Sequence, residues 1–186
     1  MKPTDAIRQR RSIRSFTDRE VAREEIERML EAAVLAPNHR MTQPWRFYVL
    51  GPEARRAYGM ALGDRKARKV NESDAAALVR EKVASEHAAL PGMIVVAMVQ
   101  DANPEIREED YASVMMAVQN MALAAAELGL GTHIKSGAVM EDPAARAAAG
   151  VADDERIVAV VNVGEPADVP TPKDRKPAAA VTTWVD

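Results

Sequence analysis

The stretch "YASVMMAVQNMALAAAELGLGTHIKSG", residues 111–137, decides the fold. Its first eighteen residues carry Val, Met, Leu and Ala almost all the way round a helical wheel, which predicts a long helix buried on every side, within the domain or against another subunit. The acidic run "EIREED" (105–110) and Pro104 open that helix, and it is expected to run to about Leu128. "GLG" (129–131) stops it, because glycine accepts the left-handed cap conformation. "THIKSG" then reads as a short strand.

Outward from this centre, "GMIVVAMVQ" (92–100) and "RIVAVVNVGEP" (156–166) read as core strands, and "WRFYVL" (45–50) as a buried aromatic and branched strand. In "REEIERMLEAAVLAP" (23–37) the residues Ile26, Met29, Leu30, Ala33 and Val34 recur at helical spacing until Pro37. Thr4 is placed to cap a short helix over about 5–11. Residues 52–90 predict two helices broken within "KVNESD", with Asn71 or Ser73 as cap, and residues 60–90 form either a lid or a plain helical surface. "DPAARAAAG" predicts a turn or two of helix from Pro143. The proline-rich tail 167–186 is extended and ends in Trp184, a residue seldom found in a disordered tail. The order predicts a single α+β domain over 1–186, with helices flanking a small central mixed β-sheet.

Composition narrows the chemistry. Hydrophobic residues make up 47% and charged residues 28%, as in a globular protein with a core, and the net charge of −3 speaks against a dedicated nucleic-acid binder. With no cysteine there is no disulfide, thiolate nucleophile or thiolate metal site. His39, His87 and His133 show no metal-ligand spacing, so no metal is expected. No apolar run approaches the roughly 18 to 20 residues of a membrane span, and the N-terminus lacks a secretory apolar core, so a cytoplasmic protein is expected. Neither a Ser-His-Asp set nor a glycine-rich phosphate loop is visible. A chain without reactive side chains of its own but with donor-rich loops points to borrowed cofactor chemistry.

Three such loops stand out. "RRSIRSF" (10–16) offers Arg10, Arg11, Ser12 and Arg14, able to surround a phosphate, or simply to complement a helix end. "PNHRMTQPW" (37–45) offers His39 and Gln43, or is a proline-bounded connector. "KDRKP" (173–177) offers Lys173 and Arg175, or is a solvated charge run.

Taken in order, "RRSIRSF", "AAVLAPNHRMTQPWRFYVL", "AVQNMALAAAELGLGTHIKSG" and "IVAVVNVGEP" resemble the FMN-dependent nitroreductases, above all their compact NAD(P)H nitroreductase subgroup, over nearly the whole chain. The resemblance implies an intertwined homodimer of α+β nitroreductase-like fold, with FMN at the subunit interface and NADH or NADPH as reductant. It implies that Arg10, Arg11, Ser12 and Arg14 hold the FMN phosphate and ring edge, and that Arg175, with Lys173, closes on the phosphate. His39 and Gln43 would reach the flavin of the other subunit. Ile134, Lys135 and Ser136 would pass beside the ring, a backbone N–H near N5. No catalytic side chain is implied, since the chemistry resides at FMN N5.

The chain departs from the larger members at Asn38, His39 and Met41 in the second loop, and at Lys135, where many carry an acid. The acceptor implied is electron-poor: a nitroaromatic, a quinone or similar. A flavin carrier without efficient turnover, another flavin chemistry on the same fold, or nucleic-acid binding through "RRSIR" are the alternatives.

Overall fold

The computed structural model describes residues 2–185. Helices α1 (Pro3–Gln9) and α2 (Arg23–Val34) precede strand β1 (Trp45–Val49). Helices α3 (Pro52–Ala67) and α4 (Ser73–Ala88) lead into β2 (Gly92–Val99), then the long α5 (Pro104–Glu127) and β3 (Gly131–Lys135). After α6 (Pro143–Ala149), β4 (Glu155–Gly164) completes the sheet.

The strand order is β1-β2-β4-β3, and every strand pair is antiparallel. The parallel component expected of a mixed sheet is reduced to an isolated bridge between Ser12 and Thr132 at the β3 edge. β1 is an edge strand in which only Trp45 is buried, Phe47 and Tyr48 are half-buried and Arg46 and Val49 exposed, not the buried strand its aromatic content suggests.

Central β2 sorts its side chains with period two. Met93, Val95 and Ala97 face the core under α3 and α6, while Ile94, Val96 and Met98 face the core under α2 and α5. β4 changes parity midway. Val96 pairs with Ala159 but Ala97 with Ile157, so Val158 is the extra residue of a bulge, and Ile157 and Val160 end on the same face.

Helix α5 is only partly covered. Val114, Ala117, Val118, Met121 and Ala125 are buried against the sheet, whereas Tyr111 and Met116 stay 38% and 40% exposed. Burial on every side is therefore not met within one chain. The caps also differ from expectation: Lys2 rather than Thr4 precedes α1, and Glu72 rather than Asn71 or Ser73 precedes α4. Trp184 is 90% exposed.

Helices α3 and α4 form a closely packed hairpin. A Cβ on Gly59 would stand 2.7 Å from His87 Cβ and 2.8 Å from the Val83 carbonyl oxygen, so the approach depends on glycine there. The hairpin lies over the α6 face of the sheet and reaches the open end of β3, which gives it a part in the site.

Candidate functional site

Strand β3 organises the site because a second segment runs along its free edge. The Ile13 amide donates to the Thr132 carbonyl at 2.9 Å, and the segment then passes to the residues after β4, where the Thr17 amide donates to the Glu165 carbonyl at 2.9 Å. Ile13, 2% exposed, is the anchor, and a Cβ on Gly131 would fall inside its side chain. Alternation along this extended stretch turns Ser12 and Arg14 outward as Ile13 turns in.

A cavity of about 850 Å³ results, lined by Arg10, Arg11, Ser12, Arg14, Ile134 and the tail residues Lys173 and Arg175. Asp168 is the acidic residue of the lining. The first and third sequence loops, far apart in the chain, thus meet on one cavity beside β3. The arginines are not equivalent. Arg11 Nη1 donates to the carbonyls of Arg8, at 2.6 Å, and Arg10, at 2.9 Å, closing the end of α1. The helix-end reading of "RRSIR" thus holds for Arg11. Among the described residues, no carboxylate pairs with Arg10 or Arg14.

The field of this cavity is positive. His133, which also lines it, is pushed below its ordinary pKa by burial and then by the charges of Lys135 and Arg14. Lys135 in turn is lowered by burial and by Lys66. Arg10, Arg14 and Arg175, with Lys173 and the Ser12 hydroxyl, around one concavity suit a phosphate dianion on a polyol chain, so the residues fit FMN.

Lys135 and Ser136 open onto a second, smaller cavity of about 380 Å³. Its far wall is α3, through Tyr58, Leu62, Arg65 and Lys66, with Lys69 in the turn that follows. Sequence reading left this segment between lid and surface. The basic run "RKARK" (65–69) was the available signal, but a charged stretch on a helix is ordinarily solvated, and only the tertiary fold turns it toward β3.

His39 and Gln43 line neither cavity. Their loop is fastened to α5 instead. His39 Nδ1 lies 3.1 Å from Glu109 Oε1, Arg40 Nε donates to Glu109 Oε2 at 2.8 Å, and the Gln43 amide donates to Asn38 Oδ1 at 2.7 Å. Met41 and Gln43 both have positive φ, 51° and 46°, a conformation that side chains rarely adopt and that these contacts maintain.

Residues 7–165 match the model of the nitroreductase family. The chain belongs to the nitroreductase family. YfhC of Bacillus subtilis (strain 168), a relative that bears the name of an NAD(P)H nitroreductase, is 35% identical over 173 residues, 93% of this chain and 89% of its own. A nitroreductase-like family protein from Bacillus cereus superposes with a TM-score of 0.86 at 30% identity, over 100% of this chain and 97% of that one. A Desulfovibrio desulfuricans structure solved in complex with FMN gives 0.74 at 28% identity, covering 100% and 98%. As a nitroreductase family member the protein is an oxidoreductase.

Proposed function

We propose that this nitroreductase family member binds FMN beside β3 and uses it to pass reducing equivalents from NADH or NADPH to an electron-poor acceptor such as a nitroaromatic or a quinone. The observation that carries the reading is the convergence of Arg10, Arg14, Lys173 and Arg175 with Ser12 on one cavity at the β3 edge. The FMN of the Desulfovibrio desulfuricans relative and the NAD(P)H in the name of YfhC support the choice of cofactor and reductant.

Bound FMN supplies a centre that accepts a hydride from the nicotinamide and yields it to the acceptor. The chain positions and polarises. Arg10, Arg14 and Arg175 neutralise the phosphate, and the Ser12 hydroxyl adds a neutral donor. Ile134, Lys135 and Ser136 form the wall along the ring. Lys135 would add positive charge beside the flavin, in a partly buried setting where that charge counts for more than in water.

The site is read as completed by a second copy of the chain. The apolar face of α5 around Tyr111 and Met116 is open, and the adjacent loop presents His39 and Gln43 away from their own chain's cavity. Both features suit a homodimer in which that loop approaches the partner's flavin.

Steady-state kinetics with NADPH and 1,4-benzoquinone test the activity. Parallel double-reciprocal lines are expected, since reductant and acceptor use the same ring in turn. Absence of quinone-dependent NADPH and NADH oxidation by the FMN-loaded protein overturns the reading in favour of a carrier.

A further inference from the structure

We infer that the smaller cavity, between α3 and the end of β3, selects acceptors that carry a negative charge, specifically flat aromatic compounds bearing a carboxylate. The inference rests on the proposed flavin reading for its redox side, and on the cavity's own chemistry for its binding side.

The cavity has an apolar body and a cationic rim. Leu62 and Met140 supply apolar wall, and its volume of about 380 Å³ lies at the small end of the ~300–1,000 Å³ typical of ligand pockets, suited to a single substituted ring. Around it stand Lys66, Lys69 and Lys135. Arg65 has a counter-charge, Asp142 Oδ2 at 3.8 Å. Among the described residues, no carboxylate lies within ion-pair distance of the three lysines. Lys66 and Lys135 instead oppose one another, the charge of Lys66 lowering the Lys135 pKa in addition to burial. A cluster of uncompensated like charges beside an apolar wall costs free energy in the empty protein, and an anion relieves that cost.

A second observation points the same way. Tyr58 lines the cavity, is 2% exposed, and its hydroxyl has no hydrogen-bond partner. Burial raises its pKa to about 12, so it remains a neutral donor. A buried hydroxyl without a partner is costly unless a ligand or water meets it. A neutral donor and three ammonium groups in one lining make a site for a carboxylate.

The shared position of Lys135 and Ser136, between this cavity and the end of β3, places such a ligand next to the proposed flavin site. Reduction of 4-nitrobenzoate there to 4-nitrosobenzoate oxidises one NADPH, consumes one proton and releases water.

The test compares 4-nitrobenzoate with its neutral methyl ester as acceptors for the FMN-loaded protein, and benzoate with methyl benzoate as non-reducible ligands in calorimetric titration. The acid is expected to exceed the ester in kcat/KM by about tenfold or more, the worth of one charge-assisted contact. Lys66→Gln and Lys69→Gln each lower the acid-to-ester ratio and weaken benzoate binding, whereas Lys82→Gln, the same charge change elsewhere on the hairpin, does neither. Equal ratios in all four proteins, or a raised KM for NADPH with no change in benzoate affinity, overturn the inference. Benzoate binding that follows Lys66 and Lys69 in a protein without flavin turnover upholds the anion site and overturns the proposed function alone.

Discussion

The Thr42 hydroxyl donates to Asp110 Oδ1 at 2.5 Å, joining the loop after α2 to the buried side of α5. Asp110 is only 4% exposed, and the Asn38 amide reaches both Ser113 Oγ, at 3.3 Å, and Thr42. This network holds two side-chain-bearing residues, Met41 and Gln43, at positive φ. Without it the loop is expected to relax toward ordinary backbone geometry, and His39 and Gln43 lose the placement on which the proposed approach to a partner's flavin depends.

Asp110→Ala therefore weakens FMN binding by about tenfold, because it removes the acceptor that Thr42 and Asn38 share on α5, about 0.5–1.5 kcal/mol per hydrogen bond, and frees the loop. A double-mutant cycle with Gln43→Ala checks the route. If the loop acts through Gln43, the two effects on FMN affinity are non-additive. Additive effects would mean that the network serves stability alone.

Arginine replacements separate phosphate contact from helix capping. Arg10→Ala and Arg14→Ala are each expected to raise the FMN Kd by about 10- to 100-fold, the loss of a charged hydrogen bond. Arg11 is occupied with the α1 carbonyls, so Arg11→Ala raises the Kd less and lowers the melting temperature more. Equal effects at all three positions would contradict the division of roles.

Gly131→Ala drives a methyl group into Ile13, the anchor of the arginine segment. Overpacking of this kind costs about 1–3 kcal/mol, which for a chain of this size lowers the melting temperature by roughly 2–10 °C. FMN affinity should fall with it, since Ser12 and Arg14 are aimed by Ile13. Thermal melting and FMN titration of the same preparation check both.

The pH dependence of stability carries a signature of His87. Its ring is 6% exposed, Nδ1 lies 2.8 Å from the Val83 carbonyl oxygen, and burial lowers its pKa below the ordinary 6.5. The unfolded chain then binds more protons than the folded one as pH falls below about 6.5, so this contribution is complete above that pH and declines toward the folded pKa. His87→Leu removes the titration and the unpartnered Nε2, and its stability should fall less than that of the wild type between pH 7.5 and 5.5. Denaturant melts at both pH values decide the matter, and parallel losses would contradict it.

Much of this arrangement was legible in the residues. Period-two alternation and uninterrupted apolar runs identified β2 and β4, and the all-round apolar wheel identified α5, because burial dominates those segments. The extra residue at Val158 was not legible, since a bulge changes parity without changing composition. Nor was the edge position of β1, which depends on its neighbours in the sheet. The arginine segment, the tail and Ile134–Ser136 were named from the chain, and the fold brings Arg10, Ser12, Arg14, Ile134 and Arg175 to one cavity. Lys66, Lys69 and Tyr58 escaped notice because helix-borne charges and a buried tyrosine acquire meaning only once α3 faces β3. The clamp on the second loop escaped for a similar reason: Asn38 and Asp110 are far apart in sequence and meet only through α5.

The central claim is that the β3-edge cavity holds a flavin reducible by nicotinamide, and the visible absorption spectrum of the purified protein, before and after anaerobic NADPH, tests it most directly. Flavin bands are expected from the protein as isolated or after addition of FMN, and NADPH or NADH should bleach them. A protein that stays colourless and takes up no FMN would contradict it.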